Sequence, residues 1–107
     1  MSVLMLAAAA AFSPSLEAAI QNYTGCTVSA VQAGTSARLD PAIFAQGFAK
    51  SCLAEEHAFF EEAVRQEMRN GKTEAEAALR IAQDIADNRQ VVLRNQSWYL
   101  ATGKTAQ

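Results

Sequence analysis

Cys26 and Cys52 each fall on the apolar stripe of a helical segment, and that placement restricts a chain of 107 residues more than any other feature in it. Leu16, Ala19, Ile20, Tyr23, Cys26 and Ala30 recur at three- and four-residue steps, forming one helical face. Phe44, Phe48, Cys52, Phe59 and Ala63 form another, beside a second stripe of Leu53, Phe60, Val64 and Met68. An antiparallel hairpin closed by the loop 34–39 brings the two cysteines to comparable heights, since each lies roughly a dozen residues or fewer from the turn. A bond closing a loop of this size contributes roughly 3–4 kcal/mol in the chain-entropy model. That is a large fraction of the stability of a domain this small. The alternative is a pair of buried free thiols, because cysteine is among the most buried residue types. No metal site is expected: there is no Cys-x-x-Cys spacing, and the single histidine cannot complete a four-ligand set.

The helix ends are written in local chemistry. Ser13-Pro14 supplies an N-cap followed by proline at N1, and Gly34 with Thr35-Ser36 is expected to stop a first helix over 14–33. Asp40-Pro41 opens a second, with Leu39 and Phe44 as a hydrophobic staple, and it is expected to run to about residue 70 before Gly71 ends it. Thr73-Glu74-Ala75-Glu76 is a capping box for a third helix. Its expected core face is Ala75, Ala78, Leu79, Ala82, Ile85, Ala86, Val92 and Leu93, leading to Trp98-Tyr99-Leu100. No segment alternates with period two long enough to propose a strand. The expected fold is all-α: a small three-helix bundle with a long middle helix, its first two helices joined by a disulfide. Residues 12–100 form the single helical domain and 101–107 a flexible tail.

The composition agrees, with 50% hydrophobic but only 7% aromatic residues, which favours close helix packing through alanine over a β-rich core. The formal net charge of −2 offers no concentrated basic face, so no nucleic-acid partner is expected. No Lys or Arg precedes Arg38, and Val3 to Phe12 is unbroken apolar sequence. Ten residues are too few for a stable membrane span but match the hydrophobic region of a secretory signal, with Ala9-Ala10-Ala11 as the small residues at a cleavage site. Residues 1–11 therefore read as a signal peptide. The missing basic residues ahead of them leave the alternative of an apolar, alanine-rich N-terminal segment. Export implies a periplasmic or secreted protein with Cys26 and Cys52 bonded, and the alternative implies a cytoplasmic one with free thiols.

Tyr23-x-x-Cys26 on one helix, followed by Asp40-Pro41 opening a second that carries Cys52-x-x-Glu55, resembles small exported two-cysteine helical proteins of proteobacteria with no assigned function. The resemblance covers 16–69 and implies a disulfide-linked helix pair and no activity. The segment Ser51-Cys52-Leu53-Ala54-Glu55-Glu56, with Phe59 or Phe60 and Val64 after it, is similar to the stretch following the second cysteine of the periplasmic acid-stress chaperones. The cysteines of this chain are more closely spaced than theirs.

The remaining motifs fail on their own chemistry. His57 has Ala54 three residues before it, where a di-iron helix needs Glu, so it reads as a boundary residue partnered by Glu61. Gly71-Lys72-Thr73 and Gly103-Lys104-Thr105 end like phosphate loops, but the glycine needed five positions earlier is Gln66 or Trp98. Asn22-Tyr23-Thr24 and Asn95-Gln96-Ser97 match the glycosylation pattern inside helices. One histidine and no nucleophile elbow leave a hydrolase triad without support, so neither catalytic residues nor a cofactor are assigned. Arg94 and Trp98, four apart, are spaced for a cation–π pair. Trp98, Tyr99 and Leu100 are the candidate partner-binding residues, with a cap on the core as the alternative. Three roles stay open: an exported protein acting by protein binding, as an envelope accessory factor or a homodimer; an acid-stress chaperone-like protein; and a cytosolic interaction module with free cysteines.

Overall fold

The computed structural model describes residues 12–104, so the apolar segment 1–11 and the last three residues of the expected tail lie outside it. Within that span the chain forms four helices: α1 Pro14–Ser36, α2 Pro41–Ser51, α3 Leu53–Arg69 and α4 Glu74–Thr102. The fold is all-helical as expected, but with four helices where three are predicted. The expected long middle helix is divided at Cys52, whose φ of −111° and ψ of 19° leave the helical range. No glycine or proline stands at the break. The division is tertiary: Phe44 and Phe48 of α2 turn inward to Val31 and Val92, while α3 packs independently along α1 and α4. The longest helix is consequently the last, α4, with 29 residues, and it extends through Ala101 and Thr102, which the sequence assigns to the tail.

The predicted caps form. Ser13 Oγ accepts from the Leu16 N–H at 3.1 Å, and Asp40 Oδ1 from the Ala42 N–H at 2.9 Å. At Thr73 both halves of the capping box are present. Gly71, with φ of 100°, ends α3 in a Schellman motif, Lys72 N–H donating to Glu67 O and Gly71 N–H to Met68 O.

Gly34 does not stop α1. The helix runs on to Ser36, and the same motif closes it with Arg38 in the left-handed position at φ 52°, Leu39 N–H donating to Gly34 O and Arg38 N–H to Thr35 O. Gly34 serves packing instead: a Cβ there would lie 2.6 Å from Phe44 Cδ1.

Two apolar clusters make the core. One gathers Val31, Phe44, Phe48, Cys52 and Val92; the other gathers Leu16, Ala63, Val64, Ala77 and Ile81. On α4 the buried positions are Ala77, Ile81, Val92 and Gln96; of the expected face Val92 is buried and Ala78, Ile85 and Leu93 pack against the clusters, while Leu79 is 75% exposed. Alanine occurs around most of the circumference of α4, so apolar spacing alone does not select a face. Gln96 is fully buried, its Nε2 donating to the Leu39 carbonyl at 3.1 Å and pinning α4 to the α1–α2 turn. No described helix is long and apolar enough to cross a membrane.

Two substitutions separate these turns. Arg38→Gly removes the left-handed strain and is expected to raise unfolding free energy by about 1 kcal/mol. Gly34→Ala drives a methyl into the Phe44 ring and is expected to lower it by about 1–3 kcal/mol. Urea denaturation followed by circular dichroism measures both.

Candidate functional site

Cys26 Sγ and Cys52 Sγ lie 2.09 Å apart, at the distance of a disulfide bond, with their Cα atoms 5.9 Å apart. The two residues stand thirteen positions either side of Leu39, so the α1–α2 turn sets them level. Cys52 is buried and Cys26 half-buried, beside the cluster formed by Val31, Phe44 and Phe48.

Just beyond this pair, towards the second cluster, the interior becomes polar. Tyr23 of α1 donates its hydroxyl hydrogen to Glu56 Oε2 of α3 at 3.3 Å and accepts from Asn88 Nδ2 of α4 at 3.1 Å. Arg89 grips the same carboxylate with both arms: Nε to Oε2 at 2.8 Å and Nη2 to Oε1. The Tyr23 ring stacks on Phe59 with centroids 5.5 Å apart. Burial pushes the Tyr23 phenol above its ordinary value of 10.0, helped by the Glu56 charge and opposed by the Asn88 hydrogen bond. The hydrogen bond to Glu56 raises Arg89 above its ordinary value, against some burial. This cluster ties three helices at one level, and every charge in it is already matched. It offers no free acid, base or nucleophile.

Sequence reasoning places Tyr23 in the core but misses Glu56, Asn88 and Arg89. The available signal is symmetry about the Gly71–Lys72 turn: Glu56 and Arg89 are nearly equidistant from it, which aligns them across the α3–α4 hairpin.

His57 Nδ1 stands 3.7 Å from Glu61 Oε1, and both side chains are largely exposed. Among the described residues no group of three or more His, Cys, Asp or Glu side chains is arranged to hold a metal ion.

Trp98, Tyr99 and Leu100 follow one another near the end of α4, each pointing about 100° from the next. Trp98 is half exposed, Tyr99 turns towards the Val31–Phe44 cluster, and Leu100 is half-buried. The Trp98 and Tyr99 rings meet edge to face at 5.1 Å. The cation over Trp98 is Lys104 Nζ, 5.5 Å from the ring centroid, rather than Arg94: the Gly103 turn brings the chain back across the indole.

The last feature is an apolar groove of about 550 Å³ between α1 and α2. Ala30, Ala33 and Gly34 form one wall, and Phe44, Gly47 and Phe48 the other. The sequence reading does not anticipate it, because it depends on the angle α2 takes after the turn.

No family model matches the chain, and no curated protein or solved structure matches it either.

Two pH responses follow from this geometry. Tyr23 holds its proton in the fold over a range above pH 10.0 in which the unfolded chain releases it, so stability is full below that value and falls as pH rises above it. Tyr23→Phe should abolish the late phase of a spectrophotometric phenol titration and, by leaving Asn88 without its acceptor, lower stability at neutral pH by about 1–2 kcal/mol. In the capping box, the Thr73 backbone and side-chain hydrogen bonds hold the Glu76 carboxyl below its ordinary value of 4.5. Its contribution is present above that value and is lost as pH falls through the lower folded one. Glu76→Gln, which retains the reach back to Thr73, should shrink the acid sensitivity of unfolding in a series of melts from pH 6 down to pH 2.

Proposed function

We propose that this protein works outside the cytoplasm, periplasmic or secreted, as a disulfide-stapled helical bundle that acts by binding a protein partner, in the manner of an envelope accessory factor. One observation carries the reading: the cysteine pair stands at bonding distance across the helix interface that both stripes predict. Apposed cysteines of this kind persist as disulfides in oxidising compartments and are kept reduced in the cytosol. The apolar segment ahead of Phe12 supports the same location as an export signal. For binding, the support is exposed apolar surface with matched charges inside: Trp98 half exposed at the end of α4, against an interior cluster in which Glu56 is fully engaged.

A second reading, chaperone-like binding under acid stress, draws on how the helices are tied. Glu56–Arg89 and Glu67–Arg80 join α3 to α4, and Glu76 caps α4. Acid protonates these carboxylates and leaves nine Lys and Arg and one His uncompensated. α4 then loses its ties while the cysteine bond still joins α1 to the α2–α3 junction. Dye binding to newly exposed apolar surface at pH 2–3, together with suppressed aggregation of a client protein, is the outcome this reading requires. An unchanged fold without a client effect rejects it.

The leading reading is tested by the intact mass of the native protein after alkylation, with and without reductant, together with its N-terminal sequence and cellular fraction. The expected result is no label without reductant, two labels with it, and an N-terminus at Phe12 in the exported fraction. Two labels without reductant and an N-terminal Met-Ser-Val in cytosol would establish the cytosolic module with free cysteines. Replacing both cysteines by alanine should cost about 3–4 kcal/mol for a bridge spanning 26 residues.

A further inference from the structure

The groove between α1 and α2 contains a glycine that the fold does not explain. Gly34 is required by Phe44, but a Cβ on Gly47 would meet nothing within 4 Å. Gly47 lies inside an 11-residue helix, where alanine would be the more stabilising choice, and the space above it opens into the groove. A helical glycine with free space over it leaves room for something other than the chain itself to approach the backbone.

Size and lining narrow the occupant. About 550 Å³ falls in the range of small-molecule sites and is well below what a packed helix of comparable length displaces. The groove runs along α1 from Cys26 to Ala37, about 16 Å. Its walls are alanine, glycine, leucine and phenylalanine, with no charged residue among them and only the hydroxyls of Ser29 and Ser51. Phe44 and Phe48 lie nearly parallel, with ring centroids 5.8 Å apart. An open apolar groove of this length suits an extended aliphatic chain.

Charge at the ends selects the head group. Arg38 adjoins Ala37 and Leu39 at one end, and Lys50 adjoins Ser51 at the other. Among the described residues neither cation takes part in an ion pair. The Asp40 carboxylate shares the turn with Arg38 and opposes an anion there, whereas Lys50 lies at the rim, one residue before Ser51 of the lining and one turn after Gly47. We propose that the α1–α2 groove binds a single-chain anionic amphiphile of the fatty-acid class, with the alkyl chain over Gly47 and the carboxylate beside Lys50.

Calorimetric titration of the folded, oxidised protein with octanoate, decanoate and dodecanoate, each below its micelle threshold, tests this. Affinity is expected to rise about fourfold with each methylene added until the chain outruns the groove. Gly47→Leu fills the channel from one wall and Ala33→Leu from the other. Each should weaken dodecanoate binding about tenfold or more, with melting temperature held or raised. Should either variant fail to fold, the other decides. Lys50→Gln should remove the preference for dodecanoate over dodecanol while leaving dodecanol binding unchanged. Absence of dodecanoate binding, affinity independent of chain length, or full affinity in a folded Gly47→Leu variant would overturn the proposal. So would a dimer, seen by sedimentation, that this substitution dissociates, since it would assign the groove to a second copy of the chain.

Discussion

The junction at Cys52 is the constraint from which the rest of the architecture follows. α1 is a single helix of 23 residues, and two shorter helices share its length because the backbone changes direction at that one position. The sulfur link to Cys26 holds the junction against α1 at the level where α2 ends and α3 begins. That break lets Phe44 and Phe48 point to Val31 and Val92 while Ala63 and Val64 meet Leu16 and Ala77. α1 and α4 reach both clusters as unbroken helices, through Leu16 and Val31 and through Ala77 and Val92, whereas the third side of the bundle is built from two helices.

Between the two apolar clusters lies the Tyr23–Glu56–Asn88–Arg89 layer. Glu56 accepts from Arg89 twice and from Tyr23 once, and Asn88 completes the phenol oxygen. Apolar contacts through alanine discriminate poorly between neighbouring registers, since one small side chain fits where another does. A matched polar layer is less forgiving: sliding α4 by one turn would leave a half-buried carboxylate without its partner. The layer therefore sets the heights of three helices, while the cysteines and the Gln96 contact with Leu39 set the fourth.

The exposed apolar surface at Trp98 and the α1–α2 groove lies away from the polar layer. The two surfaces available for binding differ in kind. Trp98, bracketed by Tyr99 and Lys104, is a compact, half-exposed aromatic projection. The α1–α2 groove is a recess with small-residue walls, open over Gly47 and closed over Gly34 by the Phe44 ring.

Local chemistry in the sequence determined the helical class, three of the four helix starts, the stop at Gly71 and the apposition of the cysteines. Each depends on residues within one turn, or on counting from the Leu39 turn. The tertiary structure alone decided three things. Lys50-Ser51-Cys52-Leu53 contains no glycine or proline, so no local stop signal marks the break at Cys52. On α4, alanine made the apolar face ambiguous, and pairing across the bundle selected the side carrying Asn88 and Gln96, polar residues that no hydrophobic pattern would choose. At Gly34 the sequence offered a helix stop, but the Phe44 ring needed the space, and Arg38 took the left-handed position instead.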